Sequence, residues 1–117
     1  MYQGPPLDIT KLKTDRLVVD ERLELAHETI TASGAISVST PVSYLHGTGA
    51  LTLTLANGYN GQIKIIVMTN DGGDATLTPT SFANGTTIKF DDVYDMWQGI
   101  FYAGSWYSIG TPTATVA

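Results

Sequence analysis

The chain has 117 residues and a mass of 12.5 kDa, the size of one domain, which leaves no room for a separate catalytic domain. The absence of cysteine excludes disulfides, cysteine zinc sites, iron–sulfur clusters and thiol catalysis. A net charge of −5 with only four Lys and two Arg lacks the basic stripe of a nucleic-acid binder and the basic face of a membrane-surface helix, so neither partner is expected.

Seventeen Thr and 12 Gly disfavour helix and favour pleated strands joined by tight turns, so an all-β chain is predicted. Residues 1–28 hold both Arg, all three Glu and two of the four Lys, whereas Thr, Gly, Ser and aliphatics dominate from Thr29 onward. Three parts follow: an N-terminal arm with a short β segment (1–28), a β-sandwich domain (29–110) and a flexible C-terminal tail (111–117). Pro5 and Pro6 fix an extended entry without amide donors, the mark of an extended arm. The opening residues contain no cationic or apolar run, and no window reaches ~18 apolar residues, which predicts a soluble chain without a cleaved signal.

Residues 17–25 read as strand, turn at Asp20-Glu21, strand, with one short helix as the alternative, because Leu23 and Leu25 alternate with Arg22 and Glu24. Thr29 to Thr31 and Ala35 to Ser39 follow as strands, the second ended by Pro41, and Val42 to Leu45 as another before the turn His46-Gly47-Thr48-Gly49. Leu51, Leu53 and Leu55 alternate with Thr52 and Thr54, the strongest period-two stretch in the chain. Ile63 to Thr69 places Ile63, Ile65 and Val67 on one face and Lys64, Ile66 and Met68 on the other, the second made wet by Lys64 alone. Asp71-Gly72-Gly73-Asp74 turns the chain into Ala75 to Thr78, and Thr86 to Phe90 forms a further strand. Asp95 to Tyr102 and Ser105 to Ile109 make a hairpin about Ala103-Gly104. Thr52-Leu53-Thr54 is echoed by Thr76-Leu77-Thr78, which recurrent strand-and-turn chemistry suffices to explain.

Chemistry-bearing clusters are sparse. His27 and His46 lack acids at metal-ligand spacing, and no Ser sits in a nucleophile-elbow sequence. Asn70-Asp71-Gly72-Gly73-Asp74 offers hard oxygen ligands but not a 12-residue calcium loop, and Asp91, Asp92 and Asp95 form a second acidic group; turn chemistry accounts for both, so no metal or cofactor is expected. No enzyme activity is predicted. The hairpin carries the functional promise: Trp97, Gly99 and Phe101 lie on one side and Met96, Gln98, Ile100 and Tyr102 on the other, so both faces need covering. One cover is the core and the other a second subunit. Met96, Trp97, Ile100, Phe101, Tyr102, Trp106 and Tyr107 are therefore the candidate subunit or partner interface; the alternative places Trp97 and Phe101 in the core and leaves the face of Met96, Ile100 and Tyr102 for the partner.

Residues 29–38 (TITASGAISV), 49–58 (GALTLTLANG), 61–68 (GQIKIIVM), 71–79 (DGGDATLTP), 83–93 (ANGTTIKFDDV) and the Trp97 to Gly110 hairpin resemble small β-rich virion structural proteins of tailed bacteriophages, especially marine and cyanobacterial ones. The resemblance covers about residues 29–110 and includes no catalytic motif. It implies an antiparallel, jelly-roll-like β-sandwich that forms a homotrimer, binds the major capsid protein and decorates the capsid exterior as a cement protein. Pro5, Pro6, Leu7, Ile9 and Leu12 of the arm would contact the capsid. The alternative is a tail-fibre or tip module that binds host-surface glycan through exposed aromatics, Trp97, Trp106 and Tyr107 among them.

Overall fold

Strict alternation of Leu with Thr leaves a strand one apolar face, and a chain built of such strands must lay them against a second sheet. A computed structural model describes residues 12–117 in this form. Ten strands run in order: β1 (His27–Ile30), β2 (Gly34–Ala35), β3 (Val42–Gly47), β4 (Leu51–Leu55), β5 (Ile63–Asp71), β6 (Ala75–Pro79), β7 (Ile88–Phe90), β8 (Met96–Tyr102), β9 (Ser105–Ser108) and β10 (Thr115–Val116). Sheet A has the order β1-β3-β5-β8-β9 and sheet B the order β10-β7-β6-β4-β2. Together they enclose one core, in which Leu45, Ile66 and Met68 of sheet A meet Leu53, Leu55, Leu77 and Phe90 of sheet B. The all-β sandwich is as expected.

Strand direction is not. From β1 to β6 the chain changes sheet at every turn, so β1, β3 and β5 are parallel in sheet A and β2, β4 and β6 parallel in sheet B. Antiparallel pairing is confined to the rest: β5 with β8, β8 with β9, β6 with β7 and β7 with β10. The sandwich is thus a mixed one, not the antiparallel one expected, because its first six strands coil instead of forming hairpins.

The coil also explains the sequence echo. Thr52, Leu53 and Thr54 lie beside Thr76, Leu77 and Thr78, an offset of 24 residues that also relates Gly47 to Asp71. Earlier in β3 the offset is 23, and a bulge between Leu45 and His46 absorbs the difference. The two connecting turns stack: Leu51 N–H donates to Asp74 O at 3.0 Å and Asn70 Nδ2 to Gly47 O at 2.7 Å. A Cβ on Gly72 would sit 2.5 Å from Gly47 O and from Thr48 C, so the upper turn fits only without a side chain there.

Lys64 points into the core, not into water. Its side chain is fully buried, and Nζ donates to Ser37 O (2.6 Å), Thr40 O (2.7 Å) and Ser43 Oγ (2.7 Å), with Glu28 Oε2 at 3.4 Å. The same Glu28 oxygen accepts from Ser37 N–H (3.0 Å) and Ser43 Oγ (2.7 Å). This knot ends the strand expected over Ala35 to Ser39: Ile36 N–H still reaches Thr54 O, but Ser37 and Thr40 turn inward to the ammonium. At the other terminus, Ala114 is buried, β10 joins sheet B and Ala117 O accepts from the Thr86 and Thr87 N–H groups. The tail expected to be flexible is therefore held by its own domain.

Two tests follow from this packing. Gly72→Ala should lower unfolding free energy in urea by about 2–3 kcal/mol, whereas Gly49→Ala, with open space at its Cβ, should stay within about 0.5 kcal/mol. Lys64→Met strands two carbonyls and the Glu28 carboxylate, and should cost about 2–4 kcal/mol at neutral pH. Burial pushes the Lys64 pKa down against the partial pull of Glu28, so the folded chain loses this proton before the unfolded chain does. Between that lowered pKa and ~10.4 the unfolded state binds more protons, and wild-type stability should rise with pH relative to Lys64→Met.

Candidate functional site

The β8–β9 hairpin forms where expected. Ala103 (φ 50°) and Gly104 (φ 88°) both take the left-handed conformation of a two-residue turn whose twist suits the flanking strands, and Asn60 Oδ1 accepts the Ala103 N–H at 3.0 Å. Three of its expected interface residues are instead core. Trp97 and Trp106 are fully buried and Phe101 nearly so. Trp97 Nε1 donates to Ser108 Oγ and Trp106 Nε1 to Ala56 O, each at 2.9 Å, so neither indole leaves an unpaired donor. Edge-to-face contacts join Phe82 to Trp97 (6.0 Å), Trp97 to Trp106 (6.3 Å) and Phe101 to Trp106 (5.2 Å). The Trp97 ring occupies the space above Gly99, where a Cβ would lie 2.0 Å from its nearest carbon.

Met96, Ile100, Tyr102 and Tyr107 lie on the opposite, outer face of sheet A, half-buried or exposed. Register extends that face across the sheet. One row runs Tyr44, Val67, Met96; the next Val42, Ile65, Gln98; the third Ile63, Ile100, Tyr107. Ile63 and Tyr107 are 38% and 37% exposed and Tyr102 62%, and no charged side chain interrupts these rows. Gln98 is the polar member of these rows; further polar groups lie toward β1, where His27 packs on Tyr44 with ring centroids 5.7 Å apart and His46 Nδ1 lies 3.0 Å from Thr69 Oγ1.

Sheet B solves the same geometric problem differently. Its outward positions are Thr52 and Thr54 on β4, Thr76 and Thr78 on β6, Lys89 on β7 and Thr115 on β10. Lys89 forms an ion pair with Asp74 at 2.9 Å, which raises its pKa through the hydrogen bond and the charge of that carboxylate. One outer face is thus a threonine ladder that water solvates, and the other is aliphatic and aromatic.

The acidic groups serve the turns. Asp95 Oδ2 accepts from the Asp91 and Asp92 N–H groups at 3.1 and 3.2 Å, and Asp91 has its pKa raised first by a hydrogen bond with Asp95 and then by burial and the neighbouring charges. Asp91, Asp92 and Asp95 bring their carboxylates within 4.8 Å of one another, two of the three residues being exposed. The other acidic turn is engaged by its own structure through Asn70 and Asp74.

Of the arm, Pro5, Pro6, Leu7 and Ile9 lie outside the described residues. Leu12 is exposed, as is every residue from there to His27. The strand, turn and strand expected over residues 17–25 are not formed; the segment is irregular, with bends at Asp15 and at Asp20-Glu21. Sequence reasoning missed Val42, Tyr44, Ile63, Ile65 and Val67 as parts of the outer surface. The signal was present in Ile63 to Thr69, where both faces are apolar once Lys64 is taken as a core residue.

No family model matches the chain, and no curated protein matches it. Gly99→Ala should displace the Trp97 indole and lower stability by about 1–3 kcal/mol, read by urea unfolding and by a red shift of tryptophan emission; an unshifted spectrum would contradict the packing.

Proposed function

We propose that this chain is a structural component of a tailed-bacteriophage virion, a capsid decoration protein that acts as a homotrimer on the outside of the head and stabilises the shell. The observation that carries the proposal is the contrast between the two outer faces: sheet B ends in a threonine ladder, whereas sheet A presents apolar rows that a solvated monomer has no use for. The resemblance of residues 29–110 supplies the biological setting. In this reading the outer face of sheet A, with Met96, Ile100, Tyr102 and Tyr107, faces neighbouring subunits. Trp97, Phe101 and Trp106 support it from beneath.

The mechanism is mechanical. A protein that binds the assembled shell and not its dissociated parts shifts the balance toward the shell by mass action, and many copies on a repeating lattice add modest single-site affinities into strong retention. The glycan-binding alternative is weaker, since two of the three aromatics it invokes, Trp97 and Trp106, are inside the domain.

Heads carrying the protein should release DNA at a higher temperature than heads lacking it, and heads decorated with Val67→Glu should release it at the temperature of bare heads. Equal release temperatures for wild-type and bare heads would reject the cement role.

A further inference from the structure

We infer that the apolar outer face of sheet A is covered by residues 17–25 of a second copy of this chain. The inference rests on the homo-oligomeric part of the function proposed above and names the segment that fills the surface. Five strands ~4.8 Å apart and ~20 Å long present a face of roughly 500 Å². Two such faces pressed together reach only the lower end of what a specific interface buries, about 1,000 Å² in all, and apolar surface from elsewhere on the chain would enlarge it.

Residues 17–25 provide it. Leu17, Val18, Val19, Leu23 and Leu25 are all exposed, a density of apolar side chains unusual for a solvated segment. Leu23 and Leu25 fall on one side of an extended chain and Arg22 and Glu24 on the other, where they pair at 3.7 Å. One edge is therefore suited to an apolar sheet and the other to water.

The exit geometry selects a neighbour over the chain's own face. Ala26 O accepts from Val42 N–H at 3.3 Å, so the backbone is still aligned with β1 as it leaves the edge of sheet A. Its bends at Asp15 and at Asp20-Glu21 do not bring it back onto its own sheet: every residue from Leu12 to His27 is exposed, and so are Ile63 and Tyr107 of the outer face. The ten residues from Arg16 to Leu25 reach about 33 Å when extended, more than the width of the sheet itself. Their apolar side chains stay clear of their own body, and this reach is enough to lay them on the next.

The chain has no cysteine, so introduced thiols report without background. Leu23→Cys and Ile65→Cys, made in separate full-length chains of which one bears a mass tag, should on mixing and oxidation give a disulfide-linked pair with one chain of each kind. Absence of that pair overturns the inference, as does an intrachain disulfide in a single chain carrying both substitutions. Leu23→Asp with Leu25→Asp changes only exposed positions, so the domain should keep its melting transition while its mass by sedimentation falls toward that of one chain; an unchanged assembly overturns the inference. An oligomer without the cross-link removes the arm and leaves the cement role standing. Heads indifferent to the protein remove the cement role and leave the cross-link standing.

Discussion

The Lys64 ammonium is the constraint on which the first coil of the fold depends. Burying a lysine costs several kcal/mol unless every donor is matched, and here Ser37 O, Thr40 O, Ser43 Oγ and Glu28 Oε2 surround it. These partners come from β1, the loop after β2, and β3, while the lysine itself stands on β5. Ser43 uses its hydroxyl in both directions, accepting from Lys64 and donating to Glu28. Moving any of the three strands by one residue would turn a partner to the other face and strand the charge. A single side chain thereby sets the register of β1, β3 and β5, and it cuts β2 to two residues by drawing Ser37 and Thr40 out of the ladder.

Above this knot the coil is maintained by backbone contact. Turns 48–50 and 72–74 lie one upon the other, and Gly72 and Gly73 leave no room for side chains between them. The same Gly-rich sequence would serve a hairpin equally well. What decides the outcome is that Leu51, Leu53 and Leu55 align with Ala75, Leu77 and Pro79 over one shared core, which places neighbouring strands in the same direction. The antiparallel strands then close the structure: β7 and β10 finish sheet B, and β8 and β9 finish sheet A. A two-residue turn with positive φ at Ala103 and Gly104 returns the chain at once, where the earlier three-residue turns send it across to the other sheet.

What could be read from the sequence follows this division. β4 and the β8–β9 hairpin lie where alternation and turn residues put them, because both are decided by neighbours within a few positions. The parallel coil was not legible, since direction is set by which strand 24 residues away shares the core, and local patterning is the same for either direction. Lys64 misled for a related reason: a charged residue amid apolar ones reads as a wet position unless its partners, 21 to 36 residues distant, are known. The aromatic hairpin was identified as doubly apolar, but alternation cannot say which side is the core. Packing of Trp97 over Gly99 and against Trp106 assigned that side to the interior and left Met96, Ile100 and Tyr102 outside.

That assignment moves the question of function to sheet A as a whole. A strand apolar on both faces belongs to a sheet covered on both faces, and β5 and β8, at and beside the centre of sheet A, are such strands. Sheet B and its core side chains form the inner layer, and no described strand remains to form an outer one. In the function proposed above, a neighbouring copy would supply that third layer. Charge points the same way: the acids of the described residues sit in turns, at the end of β5 (Asp71), on β1 and along residues 15–24, none within the central rows of the outer face. The segment that carries unplaced apolar side chains leads directly into β1, the edge strand of that same sheet and the strand whose Glu28 ties Lys64. Docking of that segment on a neighbour would pull on the element that the buried lysine fixes, so assembly and the register of the first coil would be coupled through Glu28.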